Sequence, residues 1–148
     1  MSDQERDDFA EERRRGGNGG RERTTVRTTG LLQNNQAVAI TAHVDIVNLN
    51  LEDVEIRIQV LNWGTAVTQT NPVSTLLDVT QVLPGNTRTA FNATVPASAH
   101  YEVRLTVENS TENVLILTYG RTAIGGGILN GYTVLDSQFQ TVDIDGCL

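Results

Sequence analysis

Residues 38–63 carry the pattern that most restricts how this chain can fold. They form two runs in which apolar and polar residues alternate strictly, separated by a polar turn. A period of two is typical of β-strands with one buried face, so the pattern predicts a half-buried β-hairpin. The predicted buried face holds Val38, Ile40, Ala42, Val44, Ile46, Val54, Ile56, Ile58 and Val60. The predicted outer face holds Thr41, His43, Asp45, Glu55, Arg57 and Gln59.

The rest of the chain repeats this pattern in shorter runs. Strands are predicted at residues 74–83, 88–95, 100–107, 113–119, 128–135 and 139–144. The continuous apolar run VLIL at 114–117 suggests a strand that is covered on both faces. Residues 83–86, Leu-Pro-Gly-Asn, fit a type II turn with Gly85 at positive φ. With an extended segment at 21–29, the predicted strands number about nine, without a helical period of useful length. Such spacing is typical of an all-β, antiparallel two-sheet sandwich. We prefer a jelly roll to an immunoglobulin-like arrangement, because the Cys…Trp…Cys signature of true immunoglobulin domains is absent.

Composition predicts one folded domain, at residues 30–148. The chain has 148 residues and is 39% hydrophobic, enough for an ordinary core without metal or disulfide support. Residues 30–148 contain four arginines and eleven acidic residues, a net charge of −7. This sign repels phosphate backbones and argues against nucleic-acid binding. The chain has no lysine, which excludes lysine-based isopeptide crosslinks between subunits.

Residues 1–29 are predicted to form an N-terminal arm. Residues 1–20 are rich in charge and end in the glycine-rich linker Gly16–Gly20, so we expect them to be flexible. Residues 21–29 are rich in threonine and read as one extended segment, a candidate donor strand. The residues that we expect to contact a neighbouring subunit are Arg21, Arg23, Thr25, Val26, Arg27 and Thr29.

The cysteine content and the apolar runs of the chain limit the cellular locations that it can have. Cys147 is the single cysteine, which excludes a disulfide within the chain and leaves an intermolecular disulfide or an idle thiol. The N-terminus lacks the apolar core of a secretory signal, and no apolar run is long enough to span a membrane. An extracellular location is therefore expected to be reached without a signal peptide.

No residue pattern predicts catalysis or a cofactor. His43 with Asp45, and His100 with Glu102, each place a histidine and a carboxylate on one strand face, but this spacing favours a solvated face over a metal site. Gly125–Gly127 is not followed by the Gly-Lys-Ser/Thr of a phosphate loop, and no serine lies in a nucleophile elbow. We therefore predict a protein that is not an enzyme.

The runs LNWG at 61–64, HYEVRLTV at 100–107 and VLILTYG at 114–120, with a Pro-Gly-Asn turn between the first two, give the chain a family resemblance. It resembles small all-β surface proteins of spore-forming bacteria, the exosporium and endospore-appendage fibre subunits. The resemblance implies a jelly-roll subunit that self-assembles into fibres, with its N-terminal segment reaching into a neighbouring subunit. It also implies exposure on the spore surface after lysis of the mother cell. Family members rich in cysteine use disulfide crosslinks, whereas this chain has Cys147 alone.

Our leading hypothesis is a structural subunit that donates residues 21–29 to the sheet of another copy and so forms a homopolymer. Other surface-layer proteins are further candidate partners. A viral-type jelly-roll capsid subunit is one alternative, although its arm would be strongly basic, whereas residues 1–29 hold seven arginines and seven acidic residues. A monomeric carbohydrate-binding module is the other, although one Trp and three Tyr offer few rings for sugars. Trp63 is predicted at the rim of the core, with an interface contact as its alternative role.

Overall fold

The computed structural model describes residues 24–108 and 113–143, and these residues form an antiparallel β-sandwich. The strands are β1 Thr24–Thr28, β2 Leu32–Gln33, β3 Ile40–Asn48, β4 Val54–Gly64, β5 Ser74–Leu83, β6 Thr87–Val95, β7 His100–Glu108, β8 Val114–Arg121, β9 Ile128–Val134 and β10 Gln140–Val142. A short 3₁₀ helix, Asp136–Gln138, lies between the last two strands. The predicted all-β, two-sheet antiparallel sandwich is confirmed.

The strands divide into one sheet of six and one of four. The six-stranded sheet has the order β10-β1-β7-β4-β5, with β2 also paired to β7. The four-stranded sheet has the order β6-β3-β8-β9. Most connections cross from one sheet to the other, and only β4–β5 and β8–β9 are consecutive strands paired within a sheet. Frequent crossing of this kind is the connectivity expected of a jelly-roll form of sandwich.

The predicted hairpin at residues 38–63 is wrong in its pairing. β3 lies in the four-stranded sheet and β4 in the six-stranded sheet, so the two strands face each other across the core. Alternation specifies which face of a strand is buried and carries no information about the partner strand. Eight of the nine apolar residues are buried as predicted, and the exception is Val38, which precedes β3 and is 64% exposed.

The predicted outer face of β3 is also less solvated than expected. Thr41 and His43 are buried, although both project to the outer surface of the sheet. The ring of Tyr119 lies 4.9 Å from that of His43, and the amide oxygen of Asn92 lies 2.9 Å from His43 Nδ1. A polar residue that alternates with core residues can therefore be buried by its own sheet.

The core lies between the two sheets and is built by residues from Ile40 to Phe139. Its largest fully buried members come from both sheets, with Ile46 and Ile116 on one side and Ile58, Tyr101 and Leu105 on the other. Burial of apolar side chains, at roughly 1.5–3 kcal/mol each, is the main stabilising contribution to such a sandwich. No residue of β1 belongs to this core cluster.

Two buried asparagines fix the crossings between the sheets at the two ends of β3. Asn34 Nδ2 donates to the carbonyl oxygens of Val38, Val95 and Pro96, at 3.0, 3.3 and 2.9 Å. Asn48 Nδ2 donates in the same way to the carbonyl oxygens of Glu52, Leu83 and Pro84, at 2.9, 3.0 and 3.2 Å. Both side chains are 0% exposed. Each amide thus satisfies carbonyls that an X-Pro corner leaves without a strand partner.

The Pro-Gly-Asn turn between β5 and β6 occurs where the sequence predicts it, but the predicted role of its glycine is wrong. A type II turn would place Gly85 at positive φ, whereas the positive φ, 53°, belongs to Asn86. Gly85 is required by a close approach instead, since a Cβ there would lie 2.2 Å from the carbonyl oxygen of Leu51. The turn is therefore packed against the connection that leads from β3 to β4.

The prediction that the VLIL run of β8 is covered on both faces is wrong. Val114 and Ile116 are buried against the core, but Leu115 is 41% exposed on the outer surface of the four-stranded sheet. This run therefore belongs to a half-buried strand with an apolar outer face.

Candidate functional site

The candidate site is the slot that β1 occupies between β7 and β10. Three of the residues that the sequence assigned to the arm, Thr25, Val26 and Arg27, lie within β1, and Thr29 follows it directly. The other predicted contact residues, Arg21, Arg23 and Cys147, lie outside the described residues, as does the linker at 16–20. In the single chain, the strand predicted as a donor is thus a member of its own sheet.

β1 is an inner strand of the six-stranded sheet. It pairs with β7 from Thr24 opposite Glu108 to Thr28 opposite Arg104, and with β10 over three residue pairs. In the described part of the chain, β1 is the one strand that β10 pairs with. Removal of β1 would therefore leave β10 without a strand partner and expose an edge of β7.

Register determines which way each side chain of β1 projects. Residues that lie opposite each other in an antiparallel pair share a face of the sheet. Arg27 lies opposite the core residue Leu105 and so projects towards the space between the sheets. Val26 lies opposite Thr106 and projects to the outer face, where it is 1% exposed although it is not part of the core cluster.

A buried carboxylate on β7 connects that strand to its two neighbours, β1 and β4. Glu102 on β7 is 6% exposed and accepts hydrogen bonds from three side chains. The hydroxyl of Thr28 donates to Oε2 at 2.5 Å, the Nε of Arg104 donates to Oε2 at 2.8 Å, and the indole Nε1 of Trp63 donates to Oε1 at 2.9 Å. This cluster of Thr28, Trp63, Glu102 and Arg104, the Glu102 cluster, joins β1, β4 and β7 on the outer face of the sheet.

The Glu102 cluster favours the ionised carboxylate. Burial alone raises the pKa of Glu102, but the hydrogen bonds from Arg104, Thr28 and Trp63, together with the positive charge of Arg104, outweigh burial and lower the pKa below its ordinary value. A charged acceptor with three donors is a strong arrangement, because hydrogen bonds to ionised groups are stronger than neutral ones. Ionisation of one carboxylate therefore helps to hold β1 in place.

A second polar contact holds β1 from the other side of the sheet. Arg27 Nη1 donates to Asp136 Oδ1 at 2.9 Å, and Arg27 Nη2 donates to the Asp136 carbonyl oxygen at 2.7 Å. Asp136 Oδ1 also accepts from the backbone N–H of Ile116 at 2.9 Å, and the Arg27 guanidinium carbon lies 5.8 Å from the centre of the Phe139 ring. Because Ile116 belongs to β8, this contact ties β1 to the opposite sheet.

The connection between β1 and the body of the domain is short and contains a glycine at positive φ. Thr29 still pairs with β7, since its N–H donates to the Val103 carbonyl and its hydroxyl accepts from the Val103 N–H, both at 3.0 Å. Gly30 has φ 72°, and a Cβ placed there would meet nothing within 4 Å. The glycine therefore serves backbone conformation rather than close packing.

The chain beyond Gly30 is firmly attached to the sandwich. β2 pairs with the first residues of β7, and Asn34 is buried with its N–H donating to the Ala99 carbonyl at 2.9 Å. Together with the three bonds from the Asn34 side chain, these contacts make Gly30 the first point at which β1 can separate from the body.

Sequence reasoning missed the side chains that hold β1. The contact residues predicted from the sequence do not include Thr28, and the spacing of His100 and Glu102 favours a solvated face for Glu102. Trp63 was placed at the rim of the core, and the structure adds its bond to Glu102, with the ring half-buried. These residues come from different strands, so no local sequence pattern marks them as partners. The alternation in β7 predicts only that Glu102 projects outward.

The other candidate sites are not assembled. His43 with Asp45 lies on the four-stranded sheet and His100 with Glu102 on the six-stranded sheet, so the two pairs do not form one ligand set. No group of three or more His, Cys, Asp or Glu side chains suited to a metal occurs among the described residues. In the glycine cluster Gly125–Gly127, a Cβ on Gly126 would lie 2.5 Å from the Thr122 hydroxyl, so close backbone approach explains that glycine.

Comparison with protein-family models, curated proteins and solved structures finds no match for the chain. Within residues 24–108 and 113–143, no helix is long and apolar enough to cross a membrane.

Proposed function

We propose that the protein is a structural subunit that self-assembles into a surface fibre by exchanging β1 between copies. In the exchanged form, β1 of one copy occupies the slot between β7 and β10 of the next. Each copy gives its strand to one neighbour and receives a strand from another, so the contact is heterologous and builds an open polymer.

The observation that carries the proposal is the separation of β1 from the core. Every residue of the core cluster lies between Ile40 and Phe139, so β1 can leave and return without opening the core. Its hold consists of strand pairing, the burial of Val26 on the outer face, the Glu102 cluster and the Arg27–Asp136 contact. All of these contacts can form again between copies, which is the condition for a low-cost exchange.

The short connection limits the geometry of such a polymer. Thr29, Gly30 and Leu31 are the residues between β1 and β2, and three extended residues span about 10 Å. The neighbouring sandwich must therefore lie directly against the donor. The long reach of the whole arm, residues 1–29, does not apply to β1, because β1 lies at the end of the arm next to the body.

A pair of cysteines across β1 and β7 distinguishes exchange from the closed chain. Val26 and Thr106 lie opposite each other, at a separation that suits a disulfide in an antiparallel pair. With Cys147→Ser to remove the native thiol, Val26→Cys and Thr106→Cys should oxidise to a ladder of covalent multimers on a non-reducing gel. In the exchanged form each disulfide joins two copies.

The matched control places the cysteines at Thr41 and Thr94, which lie opposite each other in β3 and β6, strands that both remain in the body. It should run as a monomer under the same conditions. Covalent monomer from both variants would contradict strand exchange. Negative-stain imaging of the unmodified protein provides the second measurement, and closed shells or isolated particles would contradict a fibre.

A further inference from the structure

The four strands at the edges of the two sheets differ in how well they are protected against further pairing. β10 has three residues, β5 pairs with β4 through a register shift at Val60/Leu61, and β9 pairs with β8 at three positions around another shift. β9 also contains Gly131 at φ 90°. Short length, bulges and glycines are features that discourage an edge strand from recruiting another strand.

β6 has none of these features. It pairs with β3 over nine consecutive residues without a register shift, and its sequence, TRTAFNATV, contains no proline and no glycine. Its one charged side chain is Arg88, which is 69% exposed. Among the described residues, no strand pairs with its other edge. β6 is therefore a long, regular edge strand with free backbone donors and acceptors.

We propose that β6 binds β6 of a second copy of this chain, so that two four-stranded sheets join edge to edge in an antiparallel, two-fold arrangement. This contact is separate from the exchange of β1, because it uses the other sheet and a different edge. It would give the protein an interface between chains in addition to any contact along a fibre.

The sequence of β6 fits its own copy. In the antiparallel register that pairs all nine residues, Phe91 lies opposite Phe91 of the second copy, so the faces turned to the core match on both sides. Arg88 then lies opposite Thr94 of the second copy, and no like charges meet. The absence of an acidic residue from β6 also matters, because residues 30–148 carry a net charge of −7 and copies repel each other elsewhere.

Thr94 is the position at which this register can be tested, because it lies opposite Arg88 of the second copy and is exposed on the outer face of β6. Two-fold symmetry places two Arg88–Thr94 pairs in the interface. Thr94→Arg should weaken self-association and Thr94→Glu should strengthen it, each by about 2- to 30-fold at low salt for the two pairs together. The matched control is Thr133, an exposed threonine of β9 at the other edge of the same sheet, changed to Arg and to Glu.

A charge swap between positions 88 and 94 tests whether the strand bound at this edge is β6 of a second copy. Within its own chain Arg88 donates to Asp45 at 3.0 Å, so the swap is made together with Asp45→Asn. In that background, Arg88→Glu combined with Thr94→Arg should restore the association that Thr94→Arg alone weakens, because each new carboxylate then faces a new guanidinium of the other copy. Another strand bound at this edge would not be rescued in this way.

Sedimentation equilibrium of the full chain, over a range of concentrations, measures all of these variants. The proposal predicts association that depends on Thr94 and is restored by the swap, with the two Thr133 variants equal to the unmodified chain. A monomer at all concentrations, equal effects at Thr94 and Thr133, or failure of the swap would each overturn it.

Discussion

β1 and β3 are both inner strands of their sheets, yet they are held by different forces. β3 pairs over nine residues with β6 and over eight with β8, and it contributes Ile40, Ala42, Val44 and Ile46 to the core. β1 has five residues, contributes none to the core cluster, and is held on each face by a charged contact. Pairing on both sides therefore does not by itself make a strand part of the stable body.

The difference indicates which strand should respond to a change of pH. Burial of apolar surface depends little on pH, whereas contacts to an ionised carboxylate depend on its protonation. We expect β3 to open only when the whole sandwich unfolds. Local opening is drawn from regions with few buried apolar contacts, so β1 is the strand that we expect to open by itself.

The largest expected effect is from a truncation in β3. Ile46→Ala removes a side chain that is 1% exposed in the core and should lower the free energy of unfolding by about 2–5 kcal/mol. Chemical denaturation followed by circular dichroism measures the change. Leu51→Ala, at an 84% exposed position, is the control and should change it by less than about 0.5 kcal/mol. Equal effects would show that β3 is not the apolar centre of the fold.

The second largest effect on the free energy of unfolding is expected from the asparagines at the two ends of β3. Asn34→Ala and Asn48→Ala each leave three buried or partly buried carbonyls without a donor, and each should cost about 2–4 kcal/mol. Denaturant midpoints of the two variants provide the measurement, with exposed Asn130→Ala as control. A cost at one end only would mean that the two crossings are not equivalent in energy.

The bounds and buried faces of single strands could largely be predicted from the sequence. β5 was predicted at its observed bounds, Ser74–Leu83, because Pro72 and Pro84 restrict the chain on both sides. The buried faces of β3 and β4 were predicted as well, since alternation is a local property. The partners of those strands were not, because pairing depends on residues far apart in the chain.

The Glu102 cluster illustrates why the site was harder to predict than the fold. The HYEVR run correctly turns Glu102 away from the core, but its burial comes from Thr28 and Trp63, which are 74 and 39 residues away in sequence. Neither separation follows a period, so no pattern in one sequence links these residues. The same holds for the Arg27–Asp136 contact, which joins residues 109 positions apart.

A smaller and local effect is expected from Glu102→Gln. A neutral amide accepts weaker hydrogen bonds and presents an N–H₂ group to donors, so β1 should be held less tightly by about 1–3 kcal/mol. Hydrogen exchange read by mass spectrometry should show faster exchange in β1 with β3 unchanged. Glu108→Gln, an exposed change on the same strand, is the control. Equal acceleration in β1 and β3 would contradict separate opening.

The same carboxylate should make the hold on β1 sensitive to acid. The folded-state pKa of Glu102 is lower than its ordinary value, so its contribution is fully present above the ordinary pKa and is lost as the pH falls through the lowered one. Trp63 is the single tryptophan and donates to Glu102, so its fluorescence should change in this acidic range before global unfolding. Glu102→Gln should remove that early transition. A transition that survives this substitution would assign the acid response to another group.

The smallest expected effect concerns an ion pair that resembles the contacts of β1 but lies in solvent. Arg57 donates to both oxygens of Asp78 at 2.9 and 2.8 Å, and the side chains are 41% and 36% exposed. The hydrogen bond from Arg57 lowers the pKa of Asp78 against a weaker opposing effect of burial. Because exposed pairs are screened by water and salt, Arg57→Ala should cost about 0.2–1 kcal/mol at low salt and less at high salt. Denaturation at both salt concentrations measures it. A cost as large as that of Glu102→Gln would mean that burial does not distinguish the contacts of β1 from an ordinary surface pair.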